Sequence, residues 1–318
     1  MAENQFIVSS SPHLRSEVST PVIMRDVIIA LLPPSFAGIY LFGFRALAVM
    51  IVGTLAAVIT EAVIERATHR PVTIGDYSAA VAGLLLALVL PPDIPLWIVA
   101  VGSIVAIGVG KQVFGGLGHN PFNPALIGRA VLLASWPVAM TTWRWPVASA
   151  PWMGKGFDIL TSATPLAALK LSGIKTPYGP LFWGTVAGSI GETSAIAVLI
   201  GAAYLLIRGH ITWRIPGYYI LTVAVLSLLF GQDPVFHVLA GGLLFGAFFM
   251  ATDYVSTPVT PKGQAIFGIG CGVLTVLIRL YGGYPEGVCY SILIMDATTA
   301  LLDRFTRPRK LGEVRRSA

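Results

Sequence analysis

Charge is what this sequence has least of. Asp, Glu, Lys and Arg make up 11% of its 318 residues, against about 25% in a soluble domain. Cysteine is nearly absent too. Cys271 and Cys289 are the two present, both in apolar segments, which excludes a disulfide framework and any thiolate metal centre. They read as small buried hydrophobes. Several nucleotide and hydrolase signatures are missing: no P-loop, no G-x-G-x-x-G opening a helix after a strand, no G-x-S-x-G elbow and no H-E-x-x-H. No cleavable signal peptide is apparent, because residues 1–21 are polar and the first apolar run starts near Val27.

What is present is apolar. Hydrophobic residues reach 55%, mean hydropathy is +0.77, and there are 34 Gly and 22 Pro. This combination predicts an all-α polytopic membrane protein, since transmembrane helices tolerate Gly and Pro better than soluble ones. Runs with little or no charge fall at about 27–44, 46–63, 77–92, 94–110, 122–142, 178–206, 215–232, 235–252, 264–280 and 287–302. Most approach the roughly 20 residues that cross a bilayer, which gives about ten spans.

With the N-terminus inside, fifteen Lys and Arg fall on the cytoplasmic side, Lys111 and Arg129 among them. Six fall outside: Arg45, Arg144, Lys155, Lys170, Lys175 and Arg279. The asymmetry predicts both termini in the cytoplasm. It also accounts for the net charge of +6 without a nucleic-acid partner. The expected organisation is a cytoplasmic tail (1–21), a first membrane repeat (22–142), an outer loop (143–177), a second repeat (178–303) and a basic cytoplasmic tail (304–318). Trp136, Trp143, Trp145 and Trp152 around the outer loop read as an interfacial belt.

The two halves echo each other. VAGLLLALVLPP at 81–92 resembles VLAGGLLFGAFFM at 238–250, and Phe114–Gly116 (FGG) resembles Tyr281–Gly283 (YGG). An offset of five spans makes the halves opposite in orientation, the mark of an inverted repeat. In GGLGHNPFNPALIG, Asn123 is a helix cap with Pro124 at the first position. Such a helix start suits either a ligand or a plain structural break.

Two carboxylates fall mid-span: Glu192 in GSIGETSA and Asp296 in SILIMDATTA. An ionised group at that depth costs about 2.5–3.5 kcal/mol or more, so each is a candidate either for an ion path or for holding a discontinuous helix. Asp76, Asp253 and Lys262 lie at span ends, where capping or solvation suffices. His119 and His237 have no ligand spacing and read as packed or hydrogen-bonded residues.

The stretch DILTSATPLAALK, Asp158 to Lys170, stands apart. Pro165 favours a helix start and Thr164 is its N-cap candidate, with a short helix over 166–171. Asp158-x-x-Thr161-Ser162-Ala163-Thr164 also resembles the Asp-x-x-(Ser/Thr)-Gly-Ala-Thr motif of proteins that carry FMN esterified to threonine. It departs at Ser162, where the pattern has Gly. KQVFGGLGHNPFNPALIGRA (111–130), GSIGETSA (188–195), FFMATDYVSTPVTPKGQAIFG (248–268) and LYGGYPEGVCYSILIMDATTALLDRFTRPRKLG (280–312) resemble the NqrB/RnfD family. These are D subunits of Rnf-type ion-translocating electron-transport complexes and their B-subunit relatives in Na+-translocating NADH:quinone oxidoreductase. The short N-terminal tail and the RPRKLG ending favour the RnfD branch.

The resemblance implies a urea-transporter-like fold of two inverted five-helix repeats in the cytoplasmic (inner) membrane of a bacterium or archaeon. It implies a covalent FMN on Thr164 at the outer side, installed by a separate flavin transferase. It implies electron exchange with a second flavin-bearing subunit, within a complex coupling ferredoxin:NAD+ electron flow to Na+ or H+ transport. It also implies a non-covalent riboflavin between the halves in some relatives. The residues of this chain would tether and position rather than catalyse alone, and no metal is implied. The rival expectation is a urea-channel-like solute transporter of similar fold and no redox role.

Overall fold

The computed structural model describes residues 19–146, 161–283 and 286–308. They are mostly helical. Four helical stretches are long and apolar enough to cross a membrane: Thr20–Phe42, Phe44–Ala67, Leu96–Phe114 and Pro261–Tyr281. Shorter apolar helices stand between them.

The first half runs α1 (Thr20–Phe42), α2 (Phe44–Ala67), α3 (Ser78–Leu88), α4 (Leu96–Gly108), α5 (Pro124–Ser135) and the single turn α6 (Pro137–Thr141). Pro21 starts α1, where a missing N–H costs nothing, while Pro33 and Pro34 lie in its interior. α2 packs on both α3 and α4, and α4 on α5. Small residues allow these contacts. A Cβ on Gly83 would lie 2.6 Å from the carbonyl of Gly53, and one on Gly128 would lie 2.8 Å from that of Gly102. Close backbone approach of this kind is how helices pack where no water drives them together.

A two-stranded antiparallel ribbon, β1 (Trp143–Arg144) with β2 (Thr161–Ser162), leads into α7 (Pro165–Ser172). The second half follows: α8 (Tyr178–Trp183), α9 (Ala195–Ile207), α10 (Arg214–Leu229), α11 (Pro234–Leu239), α12 (Leu243–Phe245) with a π turn over Gly246–Met250, α13 (Pro261–Tyr281) and α14 (Val288–Thr306). α10 packs on α11 and α13, and α13 on α14. The halves meet where α1 lies against α9 and α5 against α14.

Four expected spans are not continuous helices, the 122–142 run being divided at Trp136 between α5 and α6. The 178–206 run is α8 and α9 with irregular backbone between them, and the 235–252 run breaks at residues 240–242. The 77–92 run leaves helical geometry after Leu88. Irregular backbone is tolerated inside a bundle only where protein satisfies its polar groups. Here the breaks satisfy one another. Gly191 N–H donates to Leu88 O at 2.7 Å and Ile190 N–H to Leu90 O at 3.1 Å.

Three cations assigned to loops by the charge pattern are buried instead. Lys111 donates to Ser78 Oγ at 2.6 Å and is ion-paired with Glu61. Arg129 and Arg279 bond to backbone carbonyls inside the bundle. Each reaches orphaned carbonyls or a buried carboxylate, which the sequence pattern counts as plain loop charge. Removing them takes two from the inner set and one from the outer, so the asymmetry keeps its direction.

Gly83→Leu is expected to wedge α2 from α3, costing about 1–3 kcal/mol. It should lower the thermal midpoint of the purified chain. Gly75→Ala, with nothing within 4 Å of its Cβ, should leave the midpoint unchanged.

Candidate functional site

Thr164 caps α7 as its spacing predicts. Its φ and ψ are −61° and 156°, and its Oγ1 accepts the Ala167 N–H at 3.2 Å. Its hydroxyl donates in turn to Glu286 Oε1 at 3.1 Å. Glu286 sits just before α14, in the segment YPEGVC, and sequence reasoning missed it. The only signal for it there is an acidic residue ahead of a glycine that opens a helix.

These two residues border a small cleft shared with Trp143, Glu192, Thr193 and the pair Gly241–Gly242. Both glycines have φ of +68°, and a Cβ on Gly242 would lie 2.4 Å from the Glu192 carboxyl carbon. Only glycine takes this turn and leaves room for the carboxylate. Trp143 is buried in β1 beside the cleft rather than anchoring at an interface, because its pairing with Ser162 turns the ring inward. Trp145 is exposed, and Trp136 stacks edge-on to Trp97 at 5.3 Å. Trp152 lies outside the described residues, as does Asp158 of the motif. Ser162 pairs in β2 and Ala163 is exposed. For Thr161 only its backbone pairing with Arg144 is described.

Glu192 lies in the break between α8 and α9 and pairs with Arg129 Nη1 at 3.3 Å. The same Nη1 donates to Val89 O at 2.6 Å, in the break after α3. One guanidinium thus joins two interrupted segments. Arg279 does the equivalent task at the third break, donating to His237 O at 2.6 Å, Ala240 O at 3.0 Å and Glu286 O at 3.2 Å.

Asp296 is not at this cleft. Its Oδ2 accepts the Asn123 N–H at 3.0 Å, and Asn123 Nδ2 donates to Met250 O at 3.2 Å. Asn123 Oδ1 meanwhile caps α5 through the Ala125 N–H at 3.0 Å. Asp296 Oδ1 and Asn120 Oδ1 are buried at this seam without a hydrogen-bond partner.

The remaining polar candidates have local roles. Asp76 Oδ1 accepts the Ser78 N–H at 2.8 Å, a cap, and Asp253 accepts from Ser256 at 3.1 Å. His237 is packed, but neither ring nitrogen has a partner, unlike the hydrogen-bonded alternative. Both cysteines are buried and free. Asp26 near the start of α1 binds Arg208 through Nε (2.9 Å) and Nη2 (2.7 Å), tying α1 to the end of α9. No group of three metal-ligating side chains occurs among the described residues.

Outside the bundle, Asp233 caps α11 and bonds Lys175 and Tyr178. Partial burial pushes the Asp233 carboxyl up, but the bonds from Lys175 and Tyr178 outweigh it and hold it well below the usual range. Its contribution to stability is present above the ordinary carboxylate value of about 3.9 and fades as pH falls below it.

The residues present fit the attachment end of an FMN. The Thr164 hydroxyl lines a small cleft at the N-terminus of α7, where backbone N–H groups and the helix dipole favour a phosphate, and the residue itself is only 5% exposed. The cleft itself holds about 30 Å³, the volume of one water molecule rather than a tricyclic ring.

Loss of one member of the Arg129–Glu192 pair strands the other, at about 3–5 kcal/mol for a buried pair. Arg129→Leu and Glu192→Leu should each lower the thermal midpoint. The double substitution should be less unstable than the two effects added.

Comparison with known proteins gives the family. Residues 7–312 match the family described as NQR2, RnfD, RnfE. The chain is 52% identical to the D subunit of the Na+-translocating ferredoxin:NAD+ oxidoreductase complex of Acetobacterium woodii, over 98% of this chain and 97% of that one. It is 51% identical to the D subunit of the proton-translocating counterpart in Clostridium ljungdahlii, with the same coverage. It is 38% identical to the D subunit of an ion-translocating oxidoreductase complex of Halorhodospira halophila, over 97% and 96%. A match across nearly the whole chain, at this identity, means that the chain belongs to the NQR2, RnfD, RnfE family.

Proposed function

We propose that this chain is the D-type membrane subunit of an ion-translocating ferredoxin:NAD+ oxidoreductase complex and carries FMN esterified to Thr164 Oγ1. The observation that carries the reading is the Thr164 hydroxyl, which lines a small cleft at the start of α7 and is held there by Glu286. The names of the relatives support the complex, and the 158–164 motif supports the attachment. The bound flavin would supply the one- and two-electron redox chemistry, leaving position and electrostatics to the protein.

The roles of the chain follow from its contacts. Thr164 tethers. Glu286 accepts the hydroxyl's hydrogen bond and so orients the oxygen for a flavin transferase. That transferase must supply a flavin nucleotide whose phosphoanhydride bond breaks as the Oγ1–P bond forms, the nucleoside phosphate leaving and the hydroxyl proton passing to Glu286. Once esterified, Oγ1 has no proton to donate, and the Glu286 carboxylate must turn from the new phosphodiester charge. The cleft is too small for the ring, so the flavin extends beyond it, within reach of a second flavin-bearing subunit.

Matched packing in the two halves supports the inverted repeat: α2 on α4 parallels α10 on α13, and α4 on α5 parallels α13 on α14. In this reading both termini are cytoplasmic, α7 is on the outer side of a cytoplasmic membrane, and the subunit does not catalyse alone. Glu192, beside the flavin-bearing cleft and paired to Arg129, is the residue proposed to link redox state to Na+ or H+ movement.

In cells that contain a competent flavin transferase, the wild-type chain should fluoresce as a flavin band on a denaturing gel. Thr164→Ala should be dark, and Glu286→Ala should lose several-fold in intensity at equal protein. A dark wild-type band would overturn the reading and favour a solute channel. Glu192→Gln should lower ions moved per electron while the complex still assembles. An unchanged ratio would make Glu192 purely structural.

A further inference from the structure

A second cavity, of about 290 Å³, lies against α7. Leu166, Leu169, Lys170, Gln232, His237 and Arg279 are among its walls. It is roughly ten times the volume taken by one water. Among the described residues, its polar lining has two cations and no carboxylate. The acids nearest these cations face elsewhere: Glu192 and Glu286 border the Thr164 cleft, and Asp233 is engaged by Lys175, Tyr178 and the start of α11.

The cations are fixed yet not exhausted. Lys170 Nζ donates to Arg279 O at 2.9 Å and Gly282 O at 2.5 Å, which uses two of its three protons. Arg279, itself buried, uses three of five N–H groups on carbonyls. His237 is 5% exposed, and both its ring nitrogens lack any partner. A buried polar group left unsatisfied costs about 1–3 kcal/mol. The fold therefore keeps an imidazole edge, an amide and spare cationic N–H groups around one void.

We propose that this cavity is a binding site for a phosphate-class oxyanion. An oxyanion presents several acceptors at once, which suits spare N–H groups on Lys170 and Arg279 together with the His237 ring and the Gln232 amide. The exposed Leu171, Ile174 and Tyr281 beside it are what a membrane-interface surface presents. Free phosphate and the phosphodiester of an anionic lipid headgroup share this chemistry. None of its polar groups contacts Thr164 directly, and Arg279 reaches that residue only through Glu286.

The test uses the full chain carrying Thr164→Ala, so that a failure of the flavin reading does not bear on it. Inorganic phosphate is titrated calorimetrically into the chain held in phosphatidylcholine nanodiscs. One saturable site is expected, weakened at least tenfold by Lys170→Gln and by His237→Phe. Gln232→Ala serves as a third variant if His237→Phe does not fold. If phosphatidylglycerol nanodiscs abolish the phosphate signal, and native mass spectrometry finds that lipid retained by this chain but not by Lys170→Gln, the source is a headgroup. No saturable phosphate binding and no selective lipid retention would overturn the proposal. So would binding that is unchanged in the variants.

Discussion

The bundle depends on interrupted helices that satisfy one another's backbones. Leu88 and Leu90, at and just past the end of α3, accept from Gly191 and Ile190 between α8 and α9. Arg129 fastens the same place by bonding Val89 O and pairing with Glu192. Each unsatisfied peptide group at that depth would cost several kcal/mol. The breaks therefore exist only as a set, and each half of the chain supplies groups that the other needs.

From that constraint the site follows. The break at Gly241–Gly242 brings bare backbone against Glu192, and Arg279 holds it by three carbonyls. One of those carbonyls belongs to Glu286, whose side chain receives the Thr164 hydroxyl. A short run of contacts thus links the mid-bundle ion pair to the capping threonine of α7. Any event that moves Glu286 is felt at Arg279 directly, through a single hydrogen bond.

Much of this is legible in the sequence, for identifiable reasons. Apolar runs and sparse charge give a helical membrane protein, because length and hydropathy are local properties. Pro165 after Thr164 gives the start of α7, because capping is local too. The partners are not legible. Glu286 meets Thr164 across 122 residues, and Asp296 meets Asn123 across 173. Charge counting puts Arg129, Arg279 and Lys111 in loops, since it sees a cation near a span end but not the carbonyls or carboxylate it reaches. Trp143 looks like an interfacial anchor for the same reason, because the ribbon that turns it inward is formed with residues 161–162.

Many of the chain's interior polar groups bridge its own broken helices, and in the proposed reading the Thr164 hydroxyl is the attachment point of a prosthetic group. The most direct measurement is the intact mass of this polypeptide recovered from cells that make the whole complex, with peptide mapping of residues 161–172. One FMN residue added at Thr164 is the expected result. A bare chain, with an unmodified Thr164 peptide, would contradict it.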